Sequence, residues 1–278
     1  MPYRRWLGLG VLVLLMAAVL VGDGVSHGWW NGRDDRRILV VSPESMALLT
    51  ISPRRGIVNE LVISKTVKLW IPGGLGWYQT DRIYRLLVQE KKTGILGQLA
   101  FYNFGFLPNE VIMRETVDGW DGWKSLLESS GILNGIRLKI MVDGLLVKDS
   151  QLTSDMSPTN PIVTTLARDF ADTELLNDES RLTIINASGE DGVAEWLSLR
   201  LGWAGMTVIE TQTQDIQPDC QIVVTSEKEN GVTLTWLKHQ YAGCQVVYDP
   251  TVISGEIELV IGEKLTKMLE YRNYVRSF

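Results

Sequence analysis

"LTIINASGEDGVAEWLSLRLGWAGMTVIE" (182–210) runs from an apolar strand through a glycine-marked turn into a helix, then back into a strand. Turns of this kind often cradle phosphate, and the glycine spacing decides whether this one does. A nucleotide-cradling turn needs G-x-G-x-x-G or G-x-x-x-x-G-K-[ST]. Here the turn offers Gly189 and Gly192, with Glu190 and Asp191 between them. Two carboxylates at a helix N-terminus suit the helix dipole but repel a phosphate. The turn is a corner carrying its own anions. On the helix, Val193, Trp196, Leu197, Leu201 and Ala204 form one apolar stripe, which leaves Glu195, Ser198 and Arg200 mostly outside it.

Working outward, the C-terminal half continues as strands over 206–211 and 221–226, a helix over 231–241, strands over 244–248 and 257–261, and a helix over 263–272. Two strand–helix–strand units in tandem predict a split βαβ sandwich with its helices on one face of a small sheet. Upstream, 38–42, 46–52 and 57–63 alternate as strands around a "PRRG" turn (53–56), and "IPGGLG" (71–76) is a loop. Helices are expected over 80–92, with Thr80 or Asp81 as N-cap, and over 95–105, ended by Gly105. A strand (110–115), a helix (121–128) and a strand (136–142) follow, and Asp143-Gly144 then marks a hairpin turn.

"SQLTSDMSPTNP" (150–161) is polar and aperiodic, a linker, after which Asn160-Pro161 opens a connecting helix to about residue 177. The fold class is therefore α/β: an N-terminal transmembrane helix and two small α/β domains. The divisions are 1–37 (cytoplasmic start, anchor and charged stub), 38–149, 150–180 (linker and connecting helix) and 181–278.

Composition bounds the function. The 278 residues are 45% apolar and 22% charged, ordinary values for a globular chain. With 33 acidic against 27 basic residues, the net charge is −6 and no basic block marks a nucleic-acid partner. Two His and two Cys are too few for a Cys/His zinc site. Arg4 and Arg5 precede the uncharged run "WLGLGVLVLLMAAVLVG" (6–22). As a helix that run reaches about 25 Å, the short end of a bilayer span. The basic flank keeps the start in the cytoplasm and puts everything after Gly22 outside. A cleaved signal peptide is the rival reading, but the run is long for one and no Ala-x-Ala site follows.

The opening stretch, with "QIVVTSEK" (221–228) and "IELVIGEKL" (257–265), resembles the LytR C-terminal domain of bacterial envelope proteins. That family's Asn-Gly-x-Gly, helix-opening Gly, pre-strand Gly and terminal Gly-acid fall on Asn186-Ala187-Ser188-Gly189, Gly192, Gly205 and Gly262-Glu263, with Ala187 a departure. The resemblance implies an extracytoplasmic accessory module without established catalytic residues.

Such domains often follow a LytR-CpsA-Psr domain, which transfers glycopolymers from a polyprenyl-pyrophosphate carrier to the cell wall. "ILVVSPESMALLTISPRRGIVNELVISKTVKLWIPGG" (38–74) is similar to the opening of that domain in outline. The family's Pro-Arg-Asp falls on Ser64-Lys65-Thr66, and its early aspartate on Glu44. The resemblance implies Glu44 as a Mg²⁺ ligand and Lys65 as a phosphate contact. Lysine supplies a point charge where arginine supplies a fork, and Thr66 removes a carboxylate. Arg82, Arg85 and Arg114 are the other nearby cations, and Arg82 and Arg85 sit one turn apart on one helix. Alternatively, these arginines are solvated surface residues.

Other candidates are aromatic and sulfur-bearing. Trp77, Trp120 and Trp123 could stack on a glycan, or Trp120 and Trp123 could form the buried stripe of a helix capped by Asp121. Cys220 and Cys244 start two strands in a compartment that permits oxidation. A disulfide forms if those strands are neighbours and is excluded if another strand lies between them. His27 and His239 are isolated.

The expected function is a membrane-anchored extracytoplasmic binding or scaffolding module of the bacterial cell envelope. It would need no cofactor, and its partners would be a glycopolymer, a lipid-linked polymer or an envelope protein. The alternative is a Mg²⁺-dependent phosphotransferase using Glu44, Lys65, Arg82 and Arg85.

Overall fold

The structure is a computed structural model that describes residues 34–113, 146–152, 166–226 and 231–271. The expected membrane segment (6–22), Arg114, Trp120, Trp123 and the 121–128 and 136–142 elements lie outside the described residues. Among the described residues, no helix is long and apolar enough to cross a membrane.

The N-terminal half is built on a five-stranded sheet. Strands β1 (Arg36–Val41), β2 (Met46–Ser52) and β3 (Ile57–Ile63) form an antiparallel meander, flanked in parallel by β6 (Glu110–Met113) and β7 (Leu146–Leu152) in the order β6-β1-β2-β3-β7. All seven residues of β2 are buried, which is why "MALLTIS" lacks the alternation of a half-exposed strand. A small hairpin, β4 (Lys68–Ile71) and β5 (Gly76–Gln79), leads into α1 (Thr80–Gln89) and α2 (Leu96–Phe104). Ile83 and Leu87 of α1 and Leu96, Leu99 and Ala100 of α2 pack onto Leu39, Leu48 and Leu61 of the sheet.

Two local expectations change. β7 extends to Leu152, paired with Ile63, so the pairing reaches into the polar stretch assigned to a linker. The expected connecting helix is broken. A π-type turn (Leu166–Phe170) is followed by the short α3 (Thr173–Leu176), because the Asp172 carboxylate accepts from the Glu174 and Leu175 N–H groups and starts a new helix.

The C-terminal half contains β8 (Arg181–Asn186), α4 (Val193–Ala204), β9 (Thr207–Thr213), β10 (Gln221–Val224), α5 (Val232–Gln240), β11 (Gln245–Tyr248), β12 (Glu256–Ile261) and α6 (Glu263–Met268). The sheet order β11-β10-β12-β8-β9 corrects the expectation of split units. Helices α4 and α5 each return the chain to the immediately adjacent parallel position. β12 enters between the two units, antiparallel to β10 and parallel to β8, so neither crossover is split. Its alternate residues Ile257, Leu259 and Ile261 are almost fully buried against the helices, which suits the central place.

Because β10 and β11 are direct neighbours with Gln221 opposite Gln245, Cys220 and Cys244 come within 4.7 Å at Cα and are joined by a disulfide.

Helix α4 is buried on two faces. One covers its own sheet; the other meets α2 of the N-terminal half. The Arg200 guanidinium donates to the Tyr102 carbonyl (3.1 Å) and the Trp196 carbonyl (3.2 Å) and lies over the Trp196 and Trp203 rings. Arg200 is 6% exposed, which corrects its expected place outside the apolar stripe. The Tyr102 and Trp196 rings meet at 5.6 Å, and Arg37 pairs with Asp172 across the same junction. Gly105, in the left-handed conformation (φ 62°) that ends α2, has room for no Cβ: one would stand 2.5 Å from the Arg200 carbonyl.

Candidate functional site

A polar cleft of about 480 Å³ opens where the β1–β2 turn, the β3–β4 turn and the start of α1 converge. Its charged lining is Glu44, Lys65, Asp81, Arg82 and Arg85, with Pro43, Tyr78, Leu86 and Gln89 completing the wall. The four charged residues singled out from the sequence thus line one cavity.

Local chemistry explains the convergence. Ser42 tightens the β1–β2 turn: its hydroxyl contacts the Ser45 carbonyl and accepts from the Ser45 N–H, holding Glu44 at the tip. The Thr80 N–H and hydroxyl both donate to the Val67 carbonyl, and the Asp81 N–H lies 3.4 Å from the Lys65 carbonyl. These bonds clamp the first turn of α1 onto the turn that carries Lys65. Arg82 and Arg85, three apart, then share a helix face with Gln89. Gln79 is the N-cap residue and makes no side-chain cap bond, so neither Thr80 nor Asp81 acts as the cap.

Charge is unbalanced here and nowhere else among the described arginines. Arg36, Arg37, Arg54, Arg55, Arg168 and Arg181 each have a carboxylate partner, and Arg200 has its two carbonyls. Arg82 and Arg85 have none, and no ion pair joins Lys65, Glu44 or Asp81 to another described residue. Arginine forks left unpaired beside a lysine suit a multivalent oxyanion such as a phosphate.

Asp81 is the residue that sequence reasoning missed as a site candidate. Its Oδ1 is buried and has no hydrogen-bond partner. An acid in the first turn of a helix looks like a response to the dipole, so nothing local marked it. Among the described residues no three His, Cys, Asp or Glu side chains group to hold a metal. Glu44 and Asp81 supply two carboxylates. Mg²⁺ is commonly held by one or two carboxylates together with substrate phosphates, so these residues fit the ion only alongside a phosphorylated ligand. Thr66, at the second family acid position, contacts the Ser64 hydroxyl at 3.2 Å.

Beneath the cleft, Ile63, Val67, Ile83 and Leu87 are at most 1% exposed and belong to one apolar cluster with Leu39, Leu48 and Leu61 of the sheet. Trp77 packs edge-on to Trp70 at 5.9 Å on the strand face opposite Tyr78, away from the cleft lining.

The acidic turn of the C-terminal half is saturated by its own groups. Asn186 Oδ1 accepts from the Ser188 N–H (3.1 Å) and hydroxyl (2.7 Å), and its amide donates to the Glu190 carbonyl (2.8 Å). The Ser188 hydroxyl accepts from the Glu190 N–H, and the Tyr271 hydroxyl donates to the Asp191 carbonyl. Gly189 and Gly192, at φ 74° and 78°, make the corner. The Ser188 and Glu190 N–H groups are thus used within the turn.

No family model and no curated sequence matches the chain. Among solved structures, B. subtilis TagU is similar at 14% identity and a TM-score of 0.25, over 37% of this chain and 41% of TagU. B. subtilis TagT is similar at 10% identity and a TM-score of 0.27, over 89% of this chain and 94% of TagT. A LytR-CPS2A-psr family protein, YwtF (TagT) with bound octaprenyl pyrophosphate lipid, is similar at 9% identity and a TM-score of 0.26, over 87% of this chain and 90% of that one. Similarity at this level is too slight to argue from.

Proposed function

We propose that this chain is a membrane-anchored, extracytoplasmic module of bacterial cell-envelope assembly. In this reading it binds the phosphate-bearing part of an envelope glycopolymer, or of its lipid carrier, and does not turn it over. The observation that carries the proposal is the cluster of Lys65, Arg82 and Arg85 in one cleft, without ion-pair partners among the described residues. The sequence resemblance to LytR-CpsA-Psr and LytR C-terminal domains supplies the envelope setting. The Cys220–Cys244 disulfide supports an oxidising compartment.

One feature favours binding over catalysis: Thr66 supplies no carboxylate at the second family acid position. The second reading, a Mg²⁺-assisted phosphotransferase, is favoured by the orphaned Asp81 oxygen, which with Glu44 could hold the ion against a bound pyrophosphate.

The test titrates a short-chain polyprenyl pyrophosphate into the purified protein with and without Mg²⁺, following thermal stability and phosphate release. Stabilisation lost in Arg82→Ala/Arg85→Ala, with no release, is expected. Release abolished by Glu44→Ala and Asp81→Ala would replace the binding reading with the enzymatic one. No shift at millimolar ligand would remove both.

A further inference from the structure

The chain passes from β4 to β5 through Pro72, Gly73, Gly74 and Leu75, and the two glycines adopt φ 81° and 77°. Their N–H groups converge on one carboxylate. Gly73 N donates to Glu270 Oε1 at 2.9 Å, and Gly74 N donates to Oε2 at 3.2 Å. Successive backbone N–H groups arranged in this way form a concavity that holds anions. Lys92 brings an ammonium to its rim by donating to the Gly73 carbonyl at 3.2 Å. Tyr102 lies near enough that, after burial, the Glu270 charge is what raises its phenol further above the ordinary range.

Two left-handed helix ends meet at the same place. Among the described residues, only Lys91 (φ 54°) and Glu270 (φ 52°) are non-glycine residues in the left-handed region. One directly precedes the rim lysine and the other is the occupant itself. Each directly follows the C-cap residue of a helix, α1 and α6, where a left-handed residue commonly ends the helix. Glu270 also comes from the far end of the chain, 197 residues from Gly73. The occupant is therefore a half-exposed side chain from the other half of the molecule, seated in a site made of donors.

From this geometry we infer that the Gly73–Gly74 turn, with Lys92, is an oxyanion-binding site which Glu270 fills as an internal stand-in ligand. A phosphate or carboxylate group takes the place of the Glu270 carboxylate and frees the end of α6 from the N-terminal half. The site is distinct from the Arg82/Arg85 cleft and does not rest on it. Neither glycine tolerates replacement without backbone change, since both need positive φ, although a Cβ would meet no atom at either.

The test measures hydrogen exchange of the full chain, in peptides covering 71–79 and 263–271. Glu270→Gly removes the carboxylate and relieves the left-handed backbone, so the variant is expected to fold. Protection at Gly73 and Gly74 should fall about tenfold, and millimolar inorganic phosphate should restore it. Acetate in place of phosphate distinguishes a carboxylate ligand from a phosphoryl one. The same restoration should persist in Arg82→Ala/Arg85→Ala and weaken in Lys92→Ala. If Glu270→Gly does not fold, Glu270→Asn, which is too short to reach the turn and tolerates left-handed φ, takes its place. Failure of both anions to restore protection in a folded variant would reduce the contact to a structural clamp and overturn the inference. Restoration that vanishes with the cleft arginines would assign the effect to the cleft and overturn it equally.

Discussion

Two helix starts in this molecule carry opposite chemistry, one entered through a left-handed glycine and the other from extended backbone. Ahead of α4, the turn 187–192 presents Glu190 and Asp191, and its polar groups are tied to one another through Asn186 and Ser188. At the start of α1, Lys65, Arg82 and Arg85 face a cleft with no ion-pair partner among the described residues. Both positions have the dipole that favours anions. The first places two acidic residues there and ties its turn together through Asn186 and Ser188; the second has added cations beside an open cleft. A helix N-terminus becomes a candidate site through what is left unsatisfied around it, not through its dipole.

The comparison requires both helix starts to be held by one packed body, and the junction at Gly105 tests that most severely. Gly105→Ala forces a Cβ into the α4 backbone at a left-handed position, and should cost about 3 kcal/mol or more. Chemical denaturation should show one transition moving to lower denaturant. Two separate transitions, with only the N-terminal one shifted, would show that the halves are independent.

The disulfide lies in the C-terminal half, and neither of its cysteines lines the cleft. With a sequence separation of 24, Cys220→Ser/Cys244→Ser should lose about 3 kcal/mol. Anion binding at the cleft, measured by calorimetry below the new melting point, should be unchanged.

Arg82→Ala/Arg85→Ala sharpens the comparison directly. Pyrophosphate affinity should fall about 100-fold, from the loss of two charge-assisted contacts. Stability should stay within about 0.5 kcal/mol, since both side chains are solvated. The mirror experiment is Asn186→Ala. Loss of the buried turn network should lower stability by about 2 kcal/mol and leave pyrophosphate affinity untouched. An affinity change there would break the distinction between the two turns.

The smallest effect is electrostatic. Burial first, then Asp249 and Glu256, raise the pKa of the Glu258 carboxyl on β12. A carboxyl raised in the fold contributes stability below its unfolded value of about 4.3 and loses it as pH rises through the folded value. Glu258→Gln should therefore remove a shallow decline in melting temperature over that window, worth less than about 0.5 kcal/mol for a half-buried group.

Much of the fold was legible because local pattern and packing agree. The three strands of the meander, α1, α2 and both strand–helix–strand units lie where periodicity and turn residues put them. Glu44, Lys65, Arg82 and Arg85, two singled out from motif position and two from spacing along a helix, line one cleft. Asp81 was hidden because a free carboxylate in a first helical turn has a sufficient local explanation. Arg200 was hidden for a different reason: its residue type predicts solvent, and only the arrival of α2 gives its guanidinium two carbonyls and two rings.

What the sequence determined by itself is whatever depends on neighbours within a turn or two: strand and helix type, the glycine corners, the acidic character of 190–191 and the helix face shared by Arg82 and Arg85. Tertiary structure decided the place of β12 between the two units, and hence that Cys220 and Cys244 are adjacent. It also decided that Arg200 is buried, that Asp81 is unpartnered and that Glu270 reaches Gly73. Each of these joins segments far apart in the chain, and their proximity follows from how whole faces pack. Hydrophobic burial drives that packing without direction or address, so no single stretch of residues encodes it.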